Sequence, residues 1–307
     1  MTIGSHIESF FGLELEQFDT SSGIKNESLA LRIEVDWEAA DEGKTILSIL
    51  EAVAADPKAK DISALIIGAW EEAFETGIQP LIDLLVQQKG VFTSLKAVFF
   101  AEMTYEENEI SWIQQGDYSA FWPAYPQLEH VQIRGMEGLS LGEFQHENLK
   151  TLIVETGGLG TDVIQHVANA NLPSLEHLEL WLGDENYGWD GSVDDIAPLL
   201  NVERRPSLKF LGLKNSEIAD EIAGLLATSS LLSQLKTLDL SMGNISDKGA
   251  EAILASADKF RHLSKLNLAH HYFSDDMMGK LSALAIPLDL SGQEQYDDGE
   301  RYIEVSE

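Results

Sequence analysis

The chain has 307 residues, 44% of them apolar, no cysteine, and 52 Asp and Glu against 20 Lys and Arg for a formal charge of −32. That apolar share is ordinary for a globular chain, and the missing thiols exclude disulfides, zinc–thiolate and iron–sulfur sites and thiol nucleophiles, which fits a reducing compartment. The acidity disfavours nucleic acid and anionic membrane as partners and favours a basic protein or peptide, although it serves plain solubility equally well.

Taken in chain order, the opening stretch MTIGSHIESFFGLELEQFD holds no Lys or Arg and no apolar run of signal-peptide length. No stretch reaches the roughly 18 apolar residues of a membrane span, so a soluble, cytoplasmic chain is expected. Residues 1–28 read as an N-terminal cap. From there one pattern, L-x-x-L-x-L with apolar variants, recurs. It begins at Ile33 and Val35 and continues through Ile62, Leu65 and Ile67; Leu95, Val98 and Phe100; Leu128, Val131 and Ile133; and Leu149, Leu152 and Val154. The clearest copies follow, at Leu175, Leu178 and Leu180; Leu208, Leu211 and Leu213; Leu235, Leu238 and Leu240; and Leu263, Leu266 and Leu268; the last sits at Leu288 and Leu290. Successive first positions from Ile62 to Leu263 are 33, 33, 21, 26, 33, 27 and 28 residues apart, in or just above the leucine-rich-repeat range.

The last two apolar residues of each copy lie two apart, so both point to one face of a short strand. Between copies the spacing turns helical. Ile218, Ile222, Leu225 and Leu226 follow one strand; Ala250, Ile253, Leu254 and Ala257 follow the next, with Asp247 as N-cap; Phe273, Met277, Met278, Leu281 and Leu284 follow the third. The fold class expected is α/β, a leucine-rich-repeat solenoid or horseshoe of about ten repeats. Parallel strands line its concave face and helices its convex face. Residues 1–307 form a single domain in this reading, with repeats over 29–290. Residues 291–307 form an acidic C-terminal cap in which RYIEV reads as a final strand, because a solenoid's terminal repeats need covering.

These copies resemble the ribonuclease-inhibitor type of leucine-rich repeat. The position usually filled by Asn in that type holds Gly243, Ser216 and Gly183 here, which implies a weaker side-chain ladder at the strand ends. The segments LDLSMGNISDKGAEAI, LNLAHHYFSDD and LDLSGQEQYDDGERYIEVSE also resemble a narrower bacterial family of cytoplasmic leucine-rich-repeat proteins to which no activity is attached. The resemblance spans the whole chain and carries over no catalytic residue.

Two repeats hold inserts rich in aromatics. The first contains Tyr105, Trp112, Tyr118, Phe121, Trp122 and Tyr125, and the second Trp181, Tyr187 and Trp189. Rigid scaffolds carry function on such loops, yet the same rings serve equally as packing where repeats are irregular. Strand alternation assigns the concave face: Ala64, Ile66, Ala97 and Phe99 make an apolar N-terminal row, either exposed or covered by the cap. A mixed central row follows. From that row and the second insert come the expected partner-binding residues His130, Gln132, Arg134, Glu155, His177, Glu179, Trp181, Trp189, Phe210 and Lys214. A basic line, Lys96, Lys150, Lys209 and Lys236, reads as local charge pairing.

The function expected is a non-catalytic scaffold that engages a basic protein or peptide through its concave face, with no cofactor and no metal. Two alternatives stand beside it. One is a metal-dependent hydrolase drawing His130, Glu155, His177 and Glu179 together, imidazole with carboxylate being a workable ligand set. The other is a structural subunit of a larger assembly, joined through Ile66 and Phe99. No G-x-S-x-G, P-loop or H-E-x-x-H motif supports an enzyme. GGLG at 157–160 and TYEENE at 104–109 read as a tight turn and a solvated loop, and His270 and His271 as a polar turn.

Overall fold

The computed structural model describes residues 3–307, the side chains of residues 37 and 38 excepted. The chain divides into two compact units, residues 3–154 and 155–306, built on the same plan of short parallel strands alternating with helices. The leucine-rich-repeat solenoid expected from the spacing is the observed fold.

In the N-terminal unit, β1 (Ser9–Phe10) turns back antiparallel onto β2 (Leu13–Gln17). The turn runs through Phe11 and Gly12, both at positive φ. Pairing then becomes parallel through β3 (Ala30–Ile33), β4 (Ala64–Ile67), β5 (Ala97–Phe100) and β6 (His130–Arg134), with β7 (Thr151–Glu155) next in order. The register stacks Leu31, Leu65, Val98 and Val131 as one inner ladder and Ile33, Ile67, Phe100 and Ile133 as another. All eight are buried. A helix over Ile46–Ala55 packs behind them, started by a reciprocal cap in which Ser48 N donates to Thr45 Oγ1 and Thr45 N donates to Ser48 Oγ. A second helix, Gln79–Gln87, has Pro80 in its first turn, where a missing N–H costs nothing.

The alternate row of this unit is covered. Phe10 closes over Ala30, Ala64, Ile66, Ala97 and Phe99, with Ile7, Phe11, Leu13 and Leu15 packed beside it. Ile66 and Phe99 are therefore core residues, and the reading in which they join a larger assembly is corrected.

The C-terminal unit carries β8 (His177–Gly183), β9 (Phe210–Ser216), β10 (Thr237–Asp239), β11 (Lys265–Asn267) and β12 (Leu288–Asp289), each parallel to the next. Helices over Thr161–Asn169, Ala219–Thr228, Asp247–Ala255 and Asp275–Ser282 fill the returns. The N-cap of the third is Ser246, whose hydroxyl accepts from Lys248 N; Asp247 stands one residue inside and accepts instead from Ser274 N and Oγ. Adjacent Ser and Asp are both good caps, which is why the spacing alone misplaces the boundary by one.

Where the usual Asn is missing, backbone approaches backbone. A Cβ on Gly183, at φ +79, would lie 1.8 Å from Gly157 O, and one on Gly243 would lie 2.8 Å from Ser216 O. The expected final strand at RYIEV is instead an irregular tether. Val305 N donates to Asn215 Oδ1 at 2.9 Å and Asn215 Nδ2 donates back to Val305 O. Arg301 meets the buried Asp220 at 2.9 Å. Among the described residues no helix is long and apolar enough to cross a membrane.

Candidate functional site

On the strand face of the C-terminal unit, β8 and β9 bring five of the expected residues into one cluster. The register sets His177 beside Phe210, Glu179 beside Gly212 and Trp181 beside Lys214. His177 stacks on Phe210 with ring centroids 3.8 Å apart and planes 5° from parallel. The Glu179 carboxylate is the hub. It accepts from Trp181 Nε1 at 2.8 Å and Lys214 Nζ at 3.0 Å, and its other oxygen lies 3.5 Å from His177 Nε2. The Lys214 ammonium in turn sits 4.9 Å from the Trp181 ring centre, a cation–π distance. Gly212 leaves the hub its room, because a Cβ there would press on Glu179 Cγ at 3.1 Å and on Phe210 at 3.2 Å.

Burial by itself would push the Glu179 carboxyl up. The His177 ring 3.5 Å away, the Lys214 charge and the hydrogen bonds from Trp181 and Lys214 overcome it, and hold the group at about 2. Glu179 is therefore ionised throughout the physiological range. Along the same row, Asp239 accepts from Ser241 Oγ at 2.6 Å and Asn267 Nδ2 at 2.9 Å. Asp289 is held below the usual carboxylate range by its hydrogen bonds from Ser291.

The other expected residues lie elsewhere. Trp189 is only 3% exposed. Its loop folds down, with Asp184 accepting from Asn186 N and Asp190 from Thr161 N, so the second insert buries its tryptophan instead of presenting it. Glu155 is buried. In the N-terminal unit, His130 meets the edge of Phe10 at 4.9 Å, and Gln132 pairs in register with buried Phe99. The Arg134 guanidinium lies 5.1 Å from the Phe99 ring and donates to Met103 O. Arg134 and Trp181 are thus less open than strand alternation implies, since parity gives a side chain's direction but not what covers it.

Of the basic line, Lys96 and Lys150 pair with Glu129 and Lys209 with Glu176. His271 Nε2 donates to Leu290 O at 3.0 Å while its Nδ1 accepts from Phe273 N, the ring stacks on Phe273, and burial lowers its pKa. Among the described residues, no three His, Asp or Glu side chains gather as a metal-ligand group, so the arrangement does not support the hydrolase.

One network lay outside the expected set. In the N-terminal unit Arg32 pairs with the fully buried Glu102, with Glu34 at 2.7 Å beside it, and His6 bridges Glu102 at 3.0 Å and Glu107 at 3.4 Å. Its sequence signal was two charges inside apolar strand patterns, LRI and FFAEM.

The sequence matches no protein-family model and no curated protein. Among solved structures, the chain is similar to a Bacteroides fragilis protein determined as a structural-genomics target: 32% identity, 92% of this chain and 78% of that one covered, TM-score 0.83. It also aligns with an internalin from Listeria monocytogenes (12% identity, 88% of this chain and 70% of that one, TM-score 0.40). A third alignment is with a leucine-rich-repeat protein from Leptospira interrogans (14% identity, 79% and 69%, TM-score 0.32).

Proposed function

The chain belongs to the family of the Bacteroides fragilis protein and is built as a leucine-rich-repeat solenoid; on that premise we propose that it is a non-catalytic scaffold holding a protein or peptide segment on the strand face of its C-terminal unit. The observation that carries this reading is the locked cluster around Glu179. Trp181 and Lys214 are hydrogen-bonded to one carboxylate, His177 lies 3.5 Å from it, and Phe210 is stacked on His177, before anything binds. Aromatic anchors fixed in advance lose little freedom on association, which is what a recognition surface needs. The partner is basic in this reading. Lys214 is consumed by Glu179, while Asp239 is satisfied only by neutral donors, so the row keeps net negative charge. Nucleic acid is disfavoured by the same charge. A cytoplasmic site of action and a ribonuclease-inhibitor type of repeat belong to the proposal, resting on the absence of cysteine and the regular strand–helix alternation.

A photo-reactive phenylalanine analogue placed at Phe210 in the producing cell tests it. One dominant cross-linked adduct is expected, absent when Glu179→Gln and Trp181→Ala are combined and absent when the analogue stands at exposed Arg261. An adduct that survives the double change would remove this face from consideration.

A further inference from the structure

The first aromatic insert divides in two. Tyr118, Phe121, Trp122 and Tyr125 are at most 1% exposed and pack on one another and on Phe100 and Phe144, whereas Trp112 is 56% exposed. Phe74, on a separate loop of the same unit, is 51% exposed. Backbone hydrogen bonds lay the two segments side by side. Gln114 N donates to Ala73 O at 2.9 Å and Ile78 N to Gln114 O at 3.3 Å, while Gln114 Nε2 reaches Phe74 O at 3.3 Å. The loop that carries Phe74 also walls a small apolar cavity of about 50 Å³, bounded by Ile46, Leu47, Trp70, Ile78 and Leu81. Its other walls are the helices Ile46–Ala55 and Gln79–Gln87.

We propose that this helix-side groove of the N-terminal unit is a second docking surface, for a basic segment of another protein that inserts one aliphatic side chain. The cavity has the volume of one aliphatic side-chain tip. The partner's sign follows from the rim. Glu71, Glu72 and Glu75 flank Phe74, and Glu109 stands three residues before Trp112. Neither EEAFET (71–76) nor TYEENEISW (104–112) contains a Lys or Arg, and among the described residues Glu72, Glu75 and Glu109 form no ion pair. Two large aromatics left in water beside uncompensated carboxylates match a cationic, amphipathic ligand, with the rings free to take both apolar and cation–π contacts. A second acidic copy of this chain would meet like charge with like.

The probe is a synthetic 12-residue peptide of Lys and Ala with one central Leu, set against the same peptide with Asn in place of Leu, both followed by fluorescence anisotropy. The Leu peptide is expected to bind roughly tenfold more tightly than the Asn peptide, the worth of one buried aliphatic side chain. Leu47→Asn, which puts a polar group in the cavity wall, should erase that gap, while combining Phe74→Ala with Trp112→Ala should weaken both peptides without moving the melting temperature, since both rings are more than half exposed. The Glu179→Gln, Trp181→Ala pair should leave the gap intact, which separates this surface from the one proposed above. Equal binding of the two peptides to the parent chain would overturn the inference. So would a gap that survives Leu47→Asn, binding of both peptides untouched by Phe74→Ala with Trp112→Ala, or light scattering that shows the parent self-associating through these two rings.

Discussion

Protonating Glu179 would leave Lys214 and His177 against an uncharged carboxyl, and the group resists this down to about 2 instead of its ordinary 4.5. A depressed folded value means stability that is present above pH 4.5 and lost as pH falls toward 2. By linkage it amounts to about 3 kcal/mol at neutral pH. Glu179→Gln is therefore expected to lower the unfolding free energy at pH 7 by about 2–3 kcal/mol, with the difference from the parent shrinking steadily below pH 4.5. Urea titrations across that range check it, and a pH-independent difference would contradict the hub role. Gly183→Ala is a different kind of injury: the added methyl would fall on Gly157 O at a φ of +79. A loss of more than about 3 kcal/mol is expected, measured as a fall in the urea midpoint. Neither the hub nor this close approach is written locally. HLELW shows a His, a Glu and a Trp at alternate positions of a strand, but Lys214 and Phe210 arrive only from the next repeat.

Strands were the most legible elements, because two aliphatics spaced two apart can share a face only in extended chain. Helix starts were legible to within a residue, as Ser246 and Asp247 show. The N-terminal hairpin was not. Its decisive contact, Phe10 over Ala64 and Phe99, joins residues far apart in sequence, and no periodicity in IESFFGLELEQ announces it. Phe10→Ala should cost about 3–4 kcal/mol and expose the alternate row of the N-terminal unit. Increased binding of a hydrophobic dye alongside the lower melting point would register both effects. Asn215 fastens the C-terminal tether in the same long-range way. It sits at φ 53 and makes two hydrogen bonds with Val305. Asn215→Ala is expected to cost about 2 kcal/mol, from the unpaired groups of Val305 and the penalty for alanine in that backbone region. Hydrogen exchange at Val305 should accelerate well before global unfolding; unchanged protection there would show that Arg301, Tyr272 and the bond from Glu304 N to Met242 O hold the tether without Asn215.

The whole chain carries −32, and the folded state concentrates that charge more than the unfolded one does. Screening should therefore favour folding, and raising sodium chloride from about 20 to 500 mM is expected to lift the melting temperature by a few degrees. A flat or falling response would show that the local pairs, such as Lys96 and Lys150 on Glu129, already balance the repulsion. Parallel, in-register strands such as these are also the arrangement that fibre-forming segments adopt, and a long bare margin would invite one molecule to template the next. Here the outermost strands, β1 and β12, are two residues each, and β1 runs against the direction of its neighbour. A newcomer would find too little main chain to grip, so runaway stacking is checked at both margins by brevity and reversal, without recourse to proline or disulfide.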